Sequence, residues 1–280
     1  MDHADRLTSI ASDRVKAVRA LHSRQGRRKA GLFVVEGPQS VRSALTAGVV
    51  VQDLYLDDDA REAFPDIIED AENRGVRPLW ADARVLAAMA ETESPQGVIA
   101  VCELLEGADI DEVLAVMAPV LILDRVADPG NVGTILRTAE AVGAAGVVLT
   151  QGCADIHNGK VVRSTTGSMF RVPVVTEISM EAAIAAVRRA GRALVVATGD
   201  GDEDLFSAVD SRMACPRACW VIGSEAHGVG DEARAEADLS VRIPMAEGVE
   251  SLNAGISVAA ILYVLAHGAR SGAFGPHGFR

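Results

Sequence analysis

The sequence predicts an α/β protein of two domains, the second of which carries a mostly parallel β-sheet. A length of 280 residues exceeds the roughly 150 residues of a usual single domain, so two hydrophobic cores are expected. The composition, with 49% apolar and 24% charged residues, is that of a globular protein. From residue 119 onward, apolar strand patterns alternate with helical ones. Strands that are apolar on both faces are typical of a parallel sheet covered by helices.

The first 105 residues alternate short helical and strand patterns and predict a smaller domain. Ser12 can cap a helix in which Val15, Val18 and Leu21 or His22 share one face, with arginine and lysine on the other. The elements predicted after it are a strand at Leu32–Val35, a helix around Val41 and Leu45, a strand at Val51–Leu56, an acidic helix at Ala60–Asn73, a strand near Pro78–Trp80, a helix near Val85–Met89 and a strand at Val98–Leu104.

Residues 106–118 have a helical pattern that Pro119 ends, and we assign them as the linker to a second domain at residues 119–270. The strands predicted there are Val120–Val126, Gly146–Thr150, Val172–Val175, Ala193–Thr198, Cys219–Ile222 and Leu239–Ile243. The helices predicted there are Val132–Val142, one around Lys160–Ser164, Glu181–Ala190, Val229–Ala235 and Leu252–Ala266. Residues 271–280 include four glycine or proline residues, which predicts a frayed tail.

The net charge of −12 is distributed unevenly along the chain. Residues 1–30 hold eight cations and three acids, a net charge of +5, whereas the other 250 residues hold 19 cations and 36 acids, a net charge of −17. A basic arm on an acidic body is the pattern that local contact with nucleic-acid phosphates requires. A solvated helix face without a partner is equally compatible with it.

Cysteine content and hydropathy predict a cytoplasmic protein that contacts no membrane. No signal-peptide pattern follows Met1, and the longest apolar runs are shorter than the ~20 residues that cross a bilayer. Four cysteines, Cys102, Cys153, Cys215 and Cys219, are expected as reduced thiols. Cys215 and Cys219 are spaced C-x3-C, but no further cysteine or histidine cluster completes a metal site, so no metal is expected.

Three loops that follow predicted strands carry residues suited to binding, since ligands of α/β sheets sit where strand ends meet helix starts. The first loop is Asp128-Pro129-Gly130-Asn131-Val132-Gly133, and its glycines let backbone N–H groups approach a ligand. Arg137 would lie on the opening helix, within reach of a phosphate or carboxylate. Asn131 is also explained as an ordinary helix N-cap.

The second loop, Gly223-Ser224-Glu225-Ala226-His227-Gly228, places glycines on both sides of a carboxylate. Such a loop suits a flat, partly cationic ligand. The third loop runs from Ile243-Pro244-Met245 to Ser251-Leu252-Asn253, where Ser251 or Asn253 can cap the next helix and Met245 can equally fill the core. Each loop alone is a weak indication, because glycine-rich strand exits are common in α/β proteins.

In their order and spacing, the three loops resemble the three motifs of the SpoU (TrmH) family of SPOUT methyltransferases. The matching residues are Asn131, Gly133 and Arg137, then Gly223, Glu225 and Gly228, then Ile243, Pro244, Met245, Ser251, Leu252 and Asn253. Lys160, Arg163 and Gly167, ahead of Val172-Pro173, add a fourth likeness. The resemblance covers about residues 119–266. The first domain, notably the stretch around Glu36, resembles the L30e-type substrate-binding domain of many family members.

This resemblance implies S-adenosylmethionine-dependent methylation of a ribose 2′-hydroxyl in structured RNA, with ribosomal RNA favoured over transfer RNA by the accessory domain. It also implies a deep trefoil knot in the second domain, and a homodimer whose active site uses residues from both chains. The cofactor would lie bent in the knot. The residues expected to bind it are Thr198, Gly199, Gly223, Gly228, Ile243, Met245 and Leu252.

The resemblance further assigns catalytic roles to Arg137, Asn131, Glu225, Ser251 and Asn253. It makes Arg137 a candidate base, but a guanidinium group keeps its proton in proteins. We therefore expect Arg137 mainly to orient the nucleotide and to stabilise negative charge on the reacting oxygen, while the other four shape the site by hydrogen bonding. Phosphate contacts are expected from Arg14, Lys16, Arg19, Arg27, Arg28 and Lys29, with Lys160 and Arg163 nearer the reacting nucleotide.

Two other functions compete with this hypothesis. A ribosome-associated factor with the same fold but without turnover is disfavoured because Asn131, Arg137, Glu225 and Asn253 are all present. A nicotinamide-dependent oxidoreductase is disfavoured because Gly130-x-x-Gly133 lacks the G-x-G-x-x-G spacing. In addition, Thr150 and Gln151 stand where an acidic residue would close the next strand. The sequence leaves the modified nucleotide open.

Overall fold

The computed structural model describes residues 6–211, 217–249 and 251–270, which form two compact units. Unit 1 comprises the described residues of 1–106 together with 155–171, and unit 2 comprises those of 107–154 and 172–280. Cys215 and the predicted tail at 271–280 lie outside the described residues. The division differs from the predicted domain boundaries because residues 155–171, expected in the second domain, pack within unit 1.

The described residues form short helices and strands that alternate along most of the chain. The strands are β1 (Leu32–Glu36), β2 (Val51–Leu56), β3 (Pro78–Trp80), β4 (Val98–Glu103), β5 (Val120–Asp124), β6 (Gly146–Thr150), β7 (Val174–Ile178), β8 (Leu194–Ala197), β9 (Glu203–Asp204), β10 (Cys219–Gly223) and β11 (Leu239–Arg242). The helices are α1 (Asp13–Ala20), α2 (Arg24–Ala30), α3 (Pro38–Thr46), α4 (Asp58–Ala63), α5 (Pro65–Asn73), α6 (Ala83–Met89), α7 (Ile110–Ala115), α8 (Pro129–Val142), α9 (Gly159–Thr165), α10 (Met180–Arg189), α11 (Leu205–Asp210), α12 (Asp231–Ala235) and α13 (Ala254–Arg270). A 3-10 turn covers Ser168–Phe170.

Unit 1 is built on a mixed sheet whose described strands follow the order β1-β4-β2-β3. β4 runs antiparallel to both β1 and β2, and β3 runs parallel to β2. Ser12 caps α1 by accepting a hydrogen bond from the Val15 backbone N–H (3.3 Å), as predicted. Val15 and Val18 are buried against Tyr55 and Leu86 in the core of the unit, which leaves the arginine and lysine side chains of α1 in solvent.

Two predicted helices are each divided in the structure. The basic segment forms α1 and α2, because Ser23 starts a new helix by accepting a hydrogen bond from the Gly26 N–H (3.0 Å). The acidic segment forms α4 and α5, because Phe64 leaves helical geometry and Pro65 begins the next helix. Proline is favoured at the first position of a helix and disfavoured inside one, which explains the second break.

A buried ion pair holds residues 155–171 within unit 1. The Arg27 side chain is 3% exposed, and its guanidinium donates to Asp155 Oδ2 (2.7 Å) and to the carbonyls of Leu21 (3.0 Å) and His22 (2.9 Å). Burial alone would raise the pKa of the Asp155 carboxyl. Hydrogen bonds from His157 and Arg27 outweigh burial and hold that pKa well below its usual range.

Unit 2 contains a parallel sheet whose seven described strands follow the order β7-β6-β5-β10-β8-β11-β9. β10 lies between β5 and β8, which places Gly223 opposite Asp124 and Ile222 opposite Ala197. Strand order reverses at β5 and β10, and ligands of open α/β sheets bind beyond the carboxyl ends of strands at such a point. The topology therefore indicates that a ligand would bind at the loops that follow β5, β8, β10 and β11.

Helices cover the sheet of unit 2 and bury its strands. The residues of β5 and β6 are all buried, which explains why both strands read as apolar runs. Val113 and Leu114 of α7 are 3% and 4% exposed and lie in this core. The predicted linker is thus part of unit 2 from residue 107 onward, because its apolar face packs on the sheet. No described helix combines the length and the hydropathy needed to cross a membrane.

The ion pair of unit 1 predicts an acid-sensitive contribution to stability. Asp155→Asn should destabilise unit 1 at pH 7 by about 3 kcal/mol, because it leaves the buried Arg27 without its counter-charge. The folded pKa of Asp155 is depressed. The contribution should therefore be complete above the ordinary carboxyl pKa of about 3.9 and should shrink as the pH falls below it. Urea unfolding of both chains at pH 7 and below pH 4 measures the difference.

Asp13→Asn is the matched control, because the Asp13 side chain is 99% exposed and its substitution should change stability by less than about 0.5 kcal/mol. A stability difference between wild type and Asp155→Asn that stays constant over this pH range would contradict the prediction.

Candidate functional site

A cavity of about 340 Å³ opens at the carboxyl ends of β8, β10 and β11. These strands are neighbours in the sheet, in the order β10-β8-β11, so the loops that follow them meet at one edge. The residues that line the cavity are Ala197, Thr198, Gly199, Ile222, Gly223, Ser224, Glu225, Gly228, Val229, Ile243, Met245, Ser251, Leu252, Ala254 and Ser257.

The structure brings together the predicted site residues of unit 2 at this cavity, with one exception. All seven residues predicted to bind the cofactor line it, and so do Glu225 and Ser251 from the predicted catalytic set. Asn131 and Asn253 are outside the lining but join it through hydrogen bonds. Arg137 is exposed on α8 and does not line the cavity.

Asn131 connects the three loops through its side-chain amide. Its Nδ2 donates to Glu225 Oε1 in the second loop, and its Oδ1 accepts from Asn253 Nδ2 in the third loop (2.7 Å). The residue is only 8% exposed, whereas Glu225 and Asn253 are exposed, so both hydrogen bonds are partly buried. Asn131 is not the N-cap of α8, because Asp128 holds that position and accepts from the Asn131 backbone N–H (2.8 Å). Its side chain is therefore available to link the loops.

Asn253 fixes the third loop to the start of α13. Its Oδ1 accepts hydrogen bonds from the backbone N–H groups of Gly255 (3.0 Å) and Ile256 (3.3 Å), which is helix N-capping. The opposite end of the same amide donates to Asn131. Of the two predicted caps, Asn253 rather than Ser251 performs this role, which leaves Ser251 on the cavity wall.

The second loop turns back so closely on β10 that only glycine fits at its start. A Cβ atom at Gly223 would lie 2.0 Å from the carbonyl carbon of Gly228 and 2.3 Å from the Val229 nitrogen. Gly228 has a positive φ of 62°, and its N–H donates to the Ser224 carbonyl (2.8 Å). The two glycines thus close a tight turn that presents backbone groups to the cavity.

Asp124 also supports the second loop, and sequence reasoning missed it. It occupies the last position of β5, is 4% exposed, and accepts a hydrogen bond from the Gly230 N–H through Oδ2 (2.7 Å). Arg125 forms an ion pair with the same carboxylate (2.9 Å). The sequence did show a carboxylate at the end of a strand that is otherwise wholly apolar. A carboxylate buried at such a position must be hydrogen-bonded or paired, which would have indicated a structural role for Asp124.

The loop after β8 is held by a second polar cluster. Thr198 Oγ1 donates to Asp200 (2.5 Å) and accepts from the Arg234 guanidinium (2.7 Å). These hydrogen bonds from Thr198 and Arg234 lower the pKa of the Asp200 carboxyl, so it stays ionised and paired with Arg234. The Thr198 backbone N–H donates to the Val241 carbonyl (2.9 Å), which joins the loop to β11.

The cavity is weakly acidic and otherwise neutral. Glu225 has the one ionisable side chain among the described residues that line it. The remaining surface consists of hydroxyl groups, backbone groups and apolar side chains such as Ile222, Ile243 and Leu252. This combination fits a small molecule with an apolar body and a positive charge.

The SpoU rRNA Methylase family model matches residues 118–263, just over half of the chain. The chain belongs to the SpoU rRNA methylase family. The match includes all three loops that surround the cavity. A second family model, for the MRM3-like substrate binding domain, matches residues 12–100, which lie in unit 1.

Similar proteins extend the SpoU likeness over nearly the whole chain. The 23S rRNA (guanosine(2553)-2′-O)-methyltransferase RlmP of Bacillus subtilis (strain 168) is 32% identical, over 92% of this chain and 98% of its own length. The 23S rRNA (uridine(2479)-2′-O)-methyltransferase of Streptomyces viridochromogenes is 33% identical, over 87% of this chain and 85% of its own. The AdoMet-bound rRNA methyltransferase from Sinorhizobium meliloti has a TM-score of 0.80 at 28% identity, with 94% of this chain and 97% of that chain covered.

Most of the basic residues that the SpoU resemblance assigned to RNA are exposed in unit 1. Arg14, Lys16, Arg19, Arg28, Lys29 and Lys160 are all exposed. Arg27 is the exception, because its guanidinium is buried in the pair with Asp155, and we withdraw it from the predicted phosphate contacts. Arg163 is half-buried, with Nη1 3.4 Å from both Glu36 and Glu91. Lys160 and Arg163 belong to unit 1 rather than to the unit that holds the cavity.

The described cysteines of this SpoU family chain lie in apolar surroundings. Burial raises the pKa of the Cys102 thiol to about 12, and burial also raises that of Cys153. Both thiols are therefore protonated near neutral pH. Within residues 6–211, 217–249 and 251–270, no group of three histidine, cysteine or acidic side chains is placed to hold a metal ion. Cys215, which was considered with Cys219, lies outside these residues.

The bridge through Asn131 predicts a stability effect that an ordinary surface amide would not have. Asn131→Ala should destabilise unit 2 by about 1–3 kcal/mol, because Glu225 loses a donor and the Asn253 amide loses its acceptor at a partly buried position. Thr134→Ala, an exposed position on the same helix, is the control and should change stability by less than about 0.5 kcal/mol. Urea unfolding measures both, and equal effects of the two substitutions would contradict the bridge.

Proposed function

We propose that this chain transfers a methyl group from S-adenosylmethionine to a ribose 2′-hydroxyl of structured RNA, with ribosomal RNA as the substrate. The observation that carries the proposal is the convergence of three distant loops, joined through Asn131, on one cavity of a SpoU family chain. The names of the relatives from Bacillus subtilis and Streptomyces viridochromogenes, both 23S rRNA 2′-O-methyltransferases, support the reaction and the substrate.

The cavity residues fit S-adenosylmethionine as the cofactor. A volume of about 340 Å³ is within the usual range of ~300–1,000 Å³ for small-molecule sites. Apolar side chains suit the flat adenine ring, and the single carboxylate of Glu225 suits a positively charged ligand. The Sinorhizobium meliloti relative, whose structure contains AdoMet, supports the same choice. When bound, the cofactor supplies a methyl group that its sulfonium charge has already activated.

The residues of this chain would then position and activate the ribose oxygen. A bond must form between that oxygen and the methyl carbon while the methyl–sulfur bond breaks and the hydroxyl proton passes to solvent, so alignment and charge stabilisation are the main tasks. Arg137 keeps its positive charge and would orient the target phosphate and stabilise negative charge on the oxygen. Glu225, held by Asn131, and Ser251 would shape the cavity wall on which the reacting groups meet.

We infer that the active form is a homodimer in which Arg137 reaches the cavity of the partner chain. Arg137 is exposed on α8 and does not line the cavity of its own chain. Helix α8 packs against α13, whose Ile256 and Tyr263 are 56% and 60% exposed. These two side chains are seven residues apart, so they share one helix face. A second copy of the chain would cover this apolar face and bring Arg137 to a cavity.

Unit 1 would supply the electrostatic part of RNA binding. Arg14 and Arg19 on α1, and Arg28 and Lys29 on α2, are exposed and would contact phosphates, which gives salt-dependent affinity. The mixed sheet of unit 1 and the MRM3-like substrate binding match support the L30e-type assignment. A ribosomal RNA substrate also supports the cytoplasmic location expected from the sequence.

We also infer the deep trefoil knot that the SpoU resemblance implies. β10 comes late in the chain but lies between β5 and β8, an order that supports passage of the last segment through an earlier loop. Knots are rare in proteins, so the inference depends on membership of this family. The knot would bring the second and third loops against each other around the bent cofactor.

Methyl transfer to unmodified ribosomal RNA tests the function. With tritium-labelled S-adenosylmethionine, the wild-type chain should label the RNA at a 2′-O-methyl nucleotide. Arg137→Ala should lower kcat/KM more than 100-fold, about 3 kcal/mol of transition-state stabilisation, while the cofactor dissociation constant stays within about twofold. The control Arg189→Ala, at a residue 61% exposed on α10, should keep full activity.

Near-normal turnover of Arg137→Ala would remove that residue from the mechanism. Binding of the RNA without any label transfer by the wild-type chain would instead favour the ribosome-associated factor without turnover.

The dimer is tested by a charge placed on the exposed face of α13. Tyr263→Asp should convert the dimer to a monomer and reduce methyl transfer by more than 10-fold, because a buried unpaired carboxylate disfavours association. Val50→Asp is the control, since Val50 is 56% exposed and belongs to unit 1 rather than to α13. Sedimentation velocity gives the oligomeric state. A wild-type monomer with full activity would contradict the inference.

A further inference from the structure

Unit 1 has a cavity of its own, about 230 Å³ in volume, beside the carboxyl end of β1. None of its residues belongs to the cavity of unit 2. Its lining residues are Glu36, Gly37, Gln39, Ser40, Thr92, Ser94, Pro95, Gln96, Val98, Ile99, Arg163 and Thr166. The proposed methyl transfer assigns no role to this cavity.

The one cation among the described residues of this cavity, Arg163, is paired with two carboxylates. Arg163 Nη1 lies 3.4 Å from the carboxylates of both Glu36 and Glu91. The Glu36 carboxylate also accepts from the backbone N–H groups of Glu91 (2.8 Å) and Thr92 (3.4 Å). Glu36 therefore holds the loop after α6 against β1. A phosphate would find no unpaired cation here, since the guanidinium already faces two carboxylates.

The rest of the lining consists of neutral hydrogen-bonding groups and a small apolar wall. Gln39 and Gln96 contribute amides, each with donors and an acceptor. Hydroxyl groups come from Ser40, Thr92, Ser94 and Thr166, and the apolar wall from Pro95, Val98 and Ile99. Helix α3 has no side-chain cap at its N-terminus, so backbone N–H groups at its start add donors at the rim.

Two glycines with left-handed backbone conformations shape the turn beside this cavity. Gly37 has a positive φ of 87°, and a Cβ there would lie 3.3 Å from Gln96 Oε1. Gly97 also has a positive φ, and a Cβ there would lie 2.4 Å from an Asp57 carboxylate oxygen. Glycine at these two positions lets the loop that carries Gln96 lie across the end of β1. The amide is thus presented by a constrained turn.

We propose that this cavity binds one unpaired nucleobase of the RNA substrate. The inference rests on the proposed function, which makes RNA the substrate. Sequence-specific RNA recognition mostly uses unstacked bases, whose edges hydrogen-bond to amides and hydroxyls and whose faces stack on aromatic rings or arginine guanidinium planes. Gln39, Gln96 and the hydroxyl groups supply the former, and the guanidinium of Arg163, which two carboxylates hold at the cavity wall, supplies the latter. The match of residues 12–100 to a substrate binding domain supports this assignment.

The test removes both amides and leaves the rest of the chain unchanged. Gln39 and Gln96 are exposed at the cavity rim, so Gln39→Ala/Gln96→Ala should fold normally, as thermal unfolding checks. Its affinity for unmodified 23S ribosomal RNA transcribed in vitro should fall about 30-fold, since each neutral hydrogen bond contributes a factor of about five. The affinity for S-adenosylmethionine should not change. Gln52→Ala, an exposed glutamine of β2 outside the cavity, is the control and should bind RNA normally.

Chemical probing of base edges in the complex provides the second readout. One unpaired nucleotide should be protected by the wild-type chain and by Gln52→Ala, and should become reactive with the double variant. Gln96→Glu, which keeps the side-chain size but removes two donors, should give the same change if the double variant unfolds. Unchanged affinity and unchanged protection would overturn the proposal. If the wild-type chain binds the RNA without methyl transfer, only the proposed function is contradicted. The protected nucleotide would still show whether the cavity binds a base.

Discussion

The arrangement of the cavity in unit 2 depends on the side-chain amide of Asn131. An amide presents a donor and an acceptor on one rigid plane, and here the donor meets Glu225 while the acceptor meets Asn253. An aspartate at this position would face the Glu225 carboxylate with a like charge, and an apolar residue would remove the hydrogen bonds to both Glu225 and Asn253. Because Asn253 also caps α13, the same bridge sets the start of the last helix.

The parallel sheet brings the loops close enough for one side-chain amide to connect them. Asn131 and Asn253 are 122 residues apart in the chain, yet the carboxyl ends of adjacent parallel strands bring their loops to one edge. Close packing then removes the remaining freedom. Gly223 lets the second loop fold onto β10, and Asp124 ties the end of that loop to β5. The polar contacts therefore adjust loops that the strand order has already brought together.

Those parts of the fold and the cavity that depend on local sequence patterns and on the loops after strands were predictable from the sequence. The apolar runs of β5, β6 and β10 predicted a parallel sheet, and the three loops at strand ends predicted a common edge. The burial of Arg27 was not predictable, because it sits in a basic run and its partner Asp155 is 128 residues away. For the same reason, the sequence did not show that residues 155–171 pack within unit 1. The segment that forms helix α7 was predicted to be a linker, because its sequence does not show which hydrophobic core the apolar face of such a short helix packs on.

The distribution of charge explains how an acidic chain can bind RNA selectively. Among the described residues, neither cavity carries a net positive charge, since one has a single carboxylate and the other pairs Arg163 with both Glu36 and Glu91. The exposed cations of α1 and α2 lie on a chain of net charge −12. Phosphate contacts position a nucleic acid, whereas base contacts specify it. The exposed cations would thus bind the RNA backbone at one place, and the acidic remainder of the chain would repel it elsewhere. The shape of the cavities and the hydrogen bonds inside them would then decide which nucleotide is accepted.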